Sequence, residues 1–399
     1  MKNNKMNRIH SYGPSTQSVH STERIDSSTR SIIPPIVANS AFAFKDLEEW
    51  RNVAEKNIPG DIYSRNSNPT TNRLEEKLAA LEDAESAASF ATGMAAISTT
   101  LFALLNPDDR VVTVRDAYGA TYLHFTQILP RFGIHCEICT TNNHDEIITE
   151  INKECQLLFL ETPTNPTLKI LDLAKLIDAA HTKNAIVVVD NTFATPINQN
   201  PIGLGADLVI HSATKFLCGH GDVLGGIVCG NKELVEKIYR YRELTGPSLD
   251  ANSAYLLLRS LKTLGLRIQR QNETAMTIAK VLSRNPKIKH VFYPGLEIHP
   301  GHEIAKKQMK GFGGVLSFEL QGGWDSASIF LPRLKFAYMA PNLGQVVTIV
   351  GPAALTSHVE LNEEERKASG VPDGLLRYAV GIEDVDDLIN YVEAALEGL

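Results

Sequence analysis

Short, nearly continuous apolar runs recur through the first half of the chain: "DRVVTVRD", "CQLLFLETP", "AIVVVDN" and "ADLVIHSATK". Runs this short and this rich in Val, Ile and Leu predict strands buried on both faces. Amphipathic stretches lie before and between them. "NRLEEKLAALED" and "DLAKLIDAAHTKN" read as helices, and "GMAAISTTLFALLNP" as a nearly all-apolar helix closed by Pro107. Buried strands alternating with helices predict an α/β fold with a mostly parallel sheet covered on both sides. After about residue 260 the pattern changes. A long helical region, "SAYLLLRSLKTLGLRIQRQNETAMTIAKVLSRN", leads into strand-like "GGVLSFEL" and "LLRYAVGIED". The closing helix carries Val385, Leu388, Ile389 and Val392 on one stripe. Residues 1 to about 30 are rich in Ser, Thr, Asn and charge, an arm that would become ordered by lying across another subunit. The pattern therefore predicts an arm over residues 1–65, a large domain over 66–258 and a smaller C-terminal α+β domain over 259–399.

Composition narrows the function classes. A chain of 399 residues exceeds one ordinary core and fits two domains in close contact. Its net charge of −7 gives no electrostatic case for nucleic-acid or anionic-membrane binding. No apolar run approaches a membrane span, and no apolar segment follows the basic N-terminus "MKNNKMNRIH", so a cytoplasmic location is expected. The five cysteines, an odd number, fit free thiols in a reducing compartment. Cys136 and Cys139 lie in a strand-like run, where residues three apart face opposite ways, so they read as two unrelated thiols. His299, His302 and Glu303 surround Pro300 and Gly301 in a turn that aligns no ligands, and no metal is expected.

The polar residues at the strand ends are more telling. Ligands of open α/β sheets sit beyond the carboxyl ends of the strands. Asp190 ends one run, Lys215 follows another, Asn165 lies in the turn that ends "FLETPTNP", and Tyr118 in the loop that ends "VVTVRDAYG". Pyridoxal phosphate (PLP) needs this set. Lys215 supplies an amine for the Schiff base, Asp190 an anion for the pyridine nitrogen, and Tyr118 a flat partner for the ring. The Ser212 and Thr214 hydroxyls and the backbone N–H groups of Gly93 and Met94, which open the apolar helix, supply phosphate donors. Singly, each has an ordinary alternative: a turn aspartate, a surface lysine, a helix start. Their joint order is much harder to obtain by accident. No G-x-G-x-x-G follows a strand, and neither a P-loop nor a G-x-S-x-G appears. A non-enzymatic binding scaffold is the alternative that pattern leaves open; its protein would be colourless rather than yellow.

"DIYSRNSNPTTNRLEEKLAALE", "ATGMAAI", "DAYGATY", "ETPTNP", "VVVDNTFATP", "HSATKFLCGHGD" and "LRYAVGIEDVDDLI" together resemble the Cys/Met-metabolism (trans-sulfuration) family of PLP enzymes. That group spans methionine γ-lyases, cystathionine γ-lyases, cystathionine γ-synthases and O-acylhomoserine sulfhydrylases. The resemblance runs from about residue 30 to the C-terminus. It implies the aspartate-aminotransferase-like type I PLP fold, a homotetramer built from two active dimers, and a small amino-acid substrate. By resemblance, Lys215 is the Schiff-base lysine, Asp190 the pyridinium partner and Tyr118 the stacking tyrosine. Ser212, Thr214, Gly93 and Met94 resemble phosphate ligands, and Tyr63 and Arg65 a pair that reaches the phosphate from a neighbouring subunit. Arg377 resembles the arginine holding the substrate α-carboxylate, with Asn165 and Asn342 nearby. The residues agree on Arg377: it lies in an apolar run on the face of Leu375 and Ala379, where a guanidinium needs an anion. Four departures stand out. Ala120, Leu123 and Pro341 occupy positions where relatives carry a cysteine, an arginine and a glutamate, and Asn342 replaces a usual serine. An uncharged far end favours γ-elimination from methionine or homocysteine over cleavage of cystathionine; γ-replacement, as by a cystathionine γ-synthase or an O-acylhomoserine sulfhydrylase, and cystathionine γ-lyase activity are the alternatives, since Arg115, Arg242 or His124 could supply a charge from elsewhere.

Overall fold

A computed structural model describes residues 12–356, 359, 364, 366 and 370–399. The large sheet is built from β1 (Ser86–Phe90), β2 (Arg110–Val114), β3 (His135–Cys139), β4 (Leu157–Glu161), β5 (Ile186–Asp190), β6 (Leu208–Ser212) and β7 (Gly226–Gly230), in the order β1-β7-β6-β5-β4-β2-β3. All neighbours run parallel except β7, which is antiparallel to both β1 and β6. Alternate residues feed two cores. Leu157, Phe159, Val188, Leu208 and Ile210 pack with Ile97 and Leu101 of the helix Gly93–Leu104. Leu158, Leu160, Val187 and Val189 pack on the other side with Ile147, Leu173 and Leu176. Burial on both faces is what makes these strands read as unbroken apolar runs. The same period of two places Glu161, Asp190 and Ser212 on the Gly93 side of the sheet. It also separates the two cysteines: Cys136 packs against the first core and Cys139 lies in the second.

The second sheet comprises β8 (Ile288–Phe292), β9 (Val315–Leu320), β10 (Tyr338–Met339), β11 (Ile349–Pro352) and β12 (Leu375–Ala379), in the order β10-β11-β12-β9-β8. Leu316, Phe318, Leu376 and Tyr378 face the helices Leu264–Leu282 and Val385–Glu397. Ser317, Arg377 and Ala379 face the opposite way, and the Ser317 hydroxyl donates to the Pro166 carbonyl of the large domain at 2.7 Å. The site lies at this junction.

The predicted long helical region is two helices, Ala251–Leu261 and Leu264–Leu282. Leu257, Leu258 and Leu261 pack in the large-domain core with Leu74 and Leu78, so the helix runs past the expected boundary at 258/259. The arm is partly held by its own chain. Ser18 accepts a hydrogen bond from the Gly265 N–H at 3.1 Å. The buried Lys77 ammonium donates to Val19 O, Ser21 O and Glu23 Oε1 at 3.2–3.3 Å. Ile25, Ile32, Ile33, Ile36, Leu47 and Trp50 are exposed.

Candidate active site

The helix Gly93–Leu104 begins beside the end of β6. Thr92 caps it, accepting from the Ala95 N–H at 3.0 Å, which leaves the Gly93 and Met94 N–H groups without intrahelical acceptors. A Cβ on Gly93 would sit 2.8 Å from Ser212 Cβ and 2.9 Å from its Oγ. Glycine is required by that close approach, and it joins a helix N-terminus to a hydroxyl as an anion cradle. Thr214 is turned partly to the backbone just before β7: its hydroxyl accepts from the Gly225 N–H at 3.1 Å.

Asp190 is buried at the end of β5. Its Oδ1 accepts from the Thr192 N–H and hydroxyl at 3.0 and 2.5 Å. No lysine, arginine or histidine among the described residues lies within ion-pair distance. Burial pushes its carboxyl above the usual aspartate range, against the Thr192 hydrogen bonds. A cationic ring nitrogen would answer that burial. Lys215 donates to Asn342 Oδ1 at 2.6 Å. Burial, reinforced by the Arg377 charge, lowers its ammonium to about 8. This amine is therefore available as a base near neutrality.

Arg377 is 5% exposed in the middle of β12. It donates to Asn165 Oδ1 at 3.0 Å and to the Asn342 carbonyl at 3.2 Å. It has no carboxylate partner among the described residues, and burial lowers it to about 10. A buried guanidinium bonded only to neutral oxygens is set up to receive an anion. Tyr118 is 44% exposed at the cap of the helix Gly119–Leu123, and its backbone N–H donates to Glu161 Oε2 at 2.8 Å. Asn165 stands in a turn with cis bonds before Pro163 and Pro166.

The structure thus brings together Lys215, Asp190, Arg377, Asn165 and Asn342 with the Gly93–Ser212 cradle. Tyr63 and Arg65 are elsewhere. They line an open cleft with Asn68, Ser248 and Asp250, with the Arg65 guanidinium 5.0 Å from the Tyr63 ring. Two of the outlying charge candidates are spent. Arg242 is buried against Glu75 at 2.7 Å and the Ser89 carbonyl at 2.7 Å. His124 packs on Phe102, and burial lowers its pKa, keeping the ring neutral. The sequence reading did not single out Glu161, although it ends an apolar run just as Asp190 does.

Residues 15–397 match the family of Cys/Met metabolism PLP-dependent enzymes. The chain belongs to this family. Its cofactor is pyridoxal phosphate, and the residues above fit that group: an unpaired buried acid, an amine, and an anion cradle that a single Cβ would fill. The enzyme is 43% identical to an L-methionine gamma-lyase of Fusobacterium nucleatum subsp. polymorphum over 97% of this chain and 98% of that protein. It is 42% identical to cystathionine gamma-synthase 1, chloroplastic, of Nicotiana tabacum over 96% of this chain and 71% of that one. A cystathionine gamma synthase from Xanthomonas oryzae pv. oryzae, solved with aminoacrylate and cysteine, superposes with a TM-score of 0.92 at 35% identity, covering 97% and 98% of the two chains. The type I PLP fold expected from the sequence is confirmed. No described helix is long and apolar enough to cross a membrane.

Proposed function

We propose that this enzyme cleaves the γ-carbon–sulfur bond of methionine or homocysteine, consuming one water and releasing methanethiol or hydrogen sulfide respectively, with ammonia and 2-oxobutanoate. The observation that carries the reading is the absence of charge at Ala120, Leu123 and Pro341, with Arg242 held by Glu75 and His124 neutral; Arg115 alone remains of the three outlying candidates. A second amino-acid head on the substrate would be buried there without a partner.

When bound, PLP supplies an electron-accepting ring that takes up negative charge from the substrate α-carbon. Asp190 would meet the ring nitrogen and favour its cationic form. The Gly93 and Met94 amides with Ser212 and Thr214 hold the phosphate. Arg377, steadied by Asn165, binds the substrate α-carboxylate and fixes which bonds lie over the ring. The Lys215 amine moves protons at the α- and β-carbons, and Asn342 Oδ1 holds that amine while it is free. Tyr118 would lie against the cofactor ring, and its phenol would supply a proton to the departing sulfur.

Tyr63 and Arg65 act on the phosphate of a neighbouring copy in a homotetramer of two active dimers. Their cleft, apart from Lys215, and the exposed apolar side chains of the arm support this. All five cysteines are free, which supports a cytoplasmic setting.

The test compares kcat/KM for methionine and cystathionine under identical conditions, with 2-oxobutanoate scored. A preference for methionine is expected. A clear preference for cystathionine refutes the neutral far end. Rapid thioether formation from an O-acylhomoserine and cysteine makes the enzyme a γ-replacement catalyst, in line with its likeness to the tobacco protein.

A further inference from the structure

Glu161 is 5% exposed, at the end of β4 on the face of Leu157 and Phe159. No lysine, arginine or histidine among the described residues lies within ion-pair distance of it. Burying a carboxyl without a cation is costly, so its bonds matter. Its Oε2 accepts from the Tyr118 N–H at 2.8 Å, and the Asn165 backbone N–H faces the same carboxyl and acts against the rise in its pKa. Those two N–H groups belong to different loops. One carries the ring-stacking phenol. The other carries the carboxamide that meets Arg377 at 3.0 Å.

We propose that Glu161 is a positioning residue, whose buried carboxyl brackets the Tyr118 and Asn165 loops and so holds the stacking ring and the Arg377 partner where cofactor and substrate need them. This deepens the roles given above to Tyr118 and Asn165 and rests on them. The neighbours explain why a carboxyl can serve here. Glu161 pairs in register with Asp190 on β5. Burial first, then the Asp190 charge and that of Asp116, keep its acid well above the usual carboxylate range. Asp116 is itself held by Lys169 at 2.9 Å, and His211 acts on Asp190 from β6. The raised acid thus lets a carboxyl oxygen serve both loops while limiting the negative charge that builds up beside the ring-facing aspartate.

The test uses the full-length enzyme as wild type, Glu161→Ala, Glu161→Gln, Tyr118→Ala and the Glu161→Ala/Tyr118→Ala double variant. Each is stripped of PLP and titrated back, with the PLP dissociation constant read from visible absorbance and the apo melting temperature from a thermal scan. Glu161→Ala removes the acceptor of the Tyr118 N–H and the carboxyl that the Asn165 N–H faces; the expected loss is roughly tenfold or more in PLP affinity, with KM for methionine raised more than kcat is lowered. Glu161→Gln keeps an acceptor oxygen and stays within about threefold of wild type. The double variant is about as weak as the weaker single, because one residue acts through the other. Wild-type affinity in Glu161→Ala, a Glu161→Gln loss as large as that of Glu161→Ala, or full additivity overturns the bracket. If Glu161→Ala does not fold, the Glu161→Gln titration decides by the same criterion. An unchanged Tyr118→Ala sinks the stacking role and the bracket with it, whereas a weakened Tyr118→Ala beside an inert Glu161→Ala sinks the bracket alone.

Discussion

Replacing Arg377 by methionine should raise the stability of the empty protein and abolish most of its activity. The guanidinium is 5% exposed and bonded only to Asn165 Oδ1 and the Asn342 carbonyl. Exchanging a buried charge of this kind for an apolar side chain of similar length is neutral to stabilising, by up to about 4 kcal/mol. With roughly 2.1 cal/mol/K of unfolding entropy per residue, the 399-residue chain changes its free energy by about 0.8 kcal/mol per degree at the midpoint. The apo melting temperature should thus hold steady or rise by up to about 5 °C. The substrate effect has the opposite sign. Losing one side of a desolvated carboxylate pair costs about 2–5 kcal/mol, which is a fall of about 30-fold to 4,000-fold in kcat/KM. Thermal scans of the apo protein and initial rates on methionine give both numbers from one preparation. A melting temperature several degrees lower, or kcat/KM within about threefold of wild type, refutes the reasoning by making Arg377 a structural residue.

Three further outcomes are expected. Lys215 titrates at about 8 in the fold against 10.5 in the unfolded chain, so its ammonium penalises the fold fully below pH 8 and ever less as pH rises to 10.5. Urea melts of the apo protein across that window should show a gain of up to about 3 kcal/mol that Lys215→Met lacks, and parallel slopes would contradict the assignment. Gly93→Ala places a Cβ 2.8 Å from Ser212 and should weaken PLP binding by roughly tenfold, measured by titration of the apo protein; unchanged affinity would remove the cradle from the phosphate site. Arg65→Ala and Lys215→Ala, each inactive alone, should regain partial activity when mixed and reassembled, and no recovery despite proven subunit exchange counts against a shared site.

The strands that bear the chemistry were legible because both their faces are buried. β1 and β7 were not. β1, "SAASF", is built of small residues with weak strand preference, and it exists because β7 pairs with it along its length. β7 is a short apolar run between glycines; Gly226 is there because a Cβ would meet the Thr92 carbonyl at 2.1 Å, a contact no pattern reveals. Within the site, Asp190 and Lys215 could be read from where their runs end. Glu161 carried the same signal, but at the sequence level an acid before Thr162 and Pro163 looks like the start of a turn. Arg242 looked available as a free cation, because its partner Glu75 lies 167 residues away in the chain.

The docked arm imposes an order of events on synthesis. Ser18 leaves the ribosome early, but the Gly265 amide that it accepts from lies 247 residues later. At roughly 5–20 residues per second, the arm waits about 12–50 s for its seat to be made. Lys77 offers an earlier hold, since it follows Val19 by 58 residues. During translation the arm therefore acquires its grip in two stages: first on the helix that precedes the large sheet, and only later on the helix that opens the second domain.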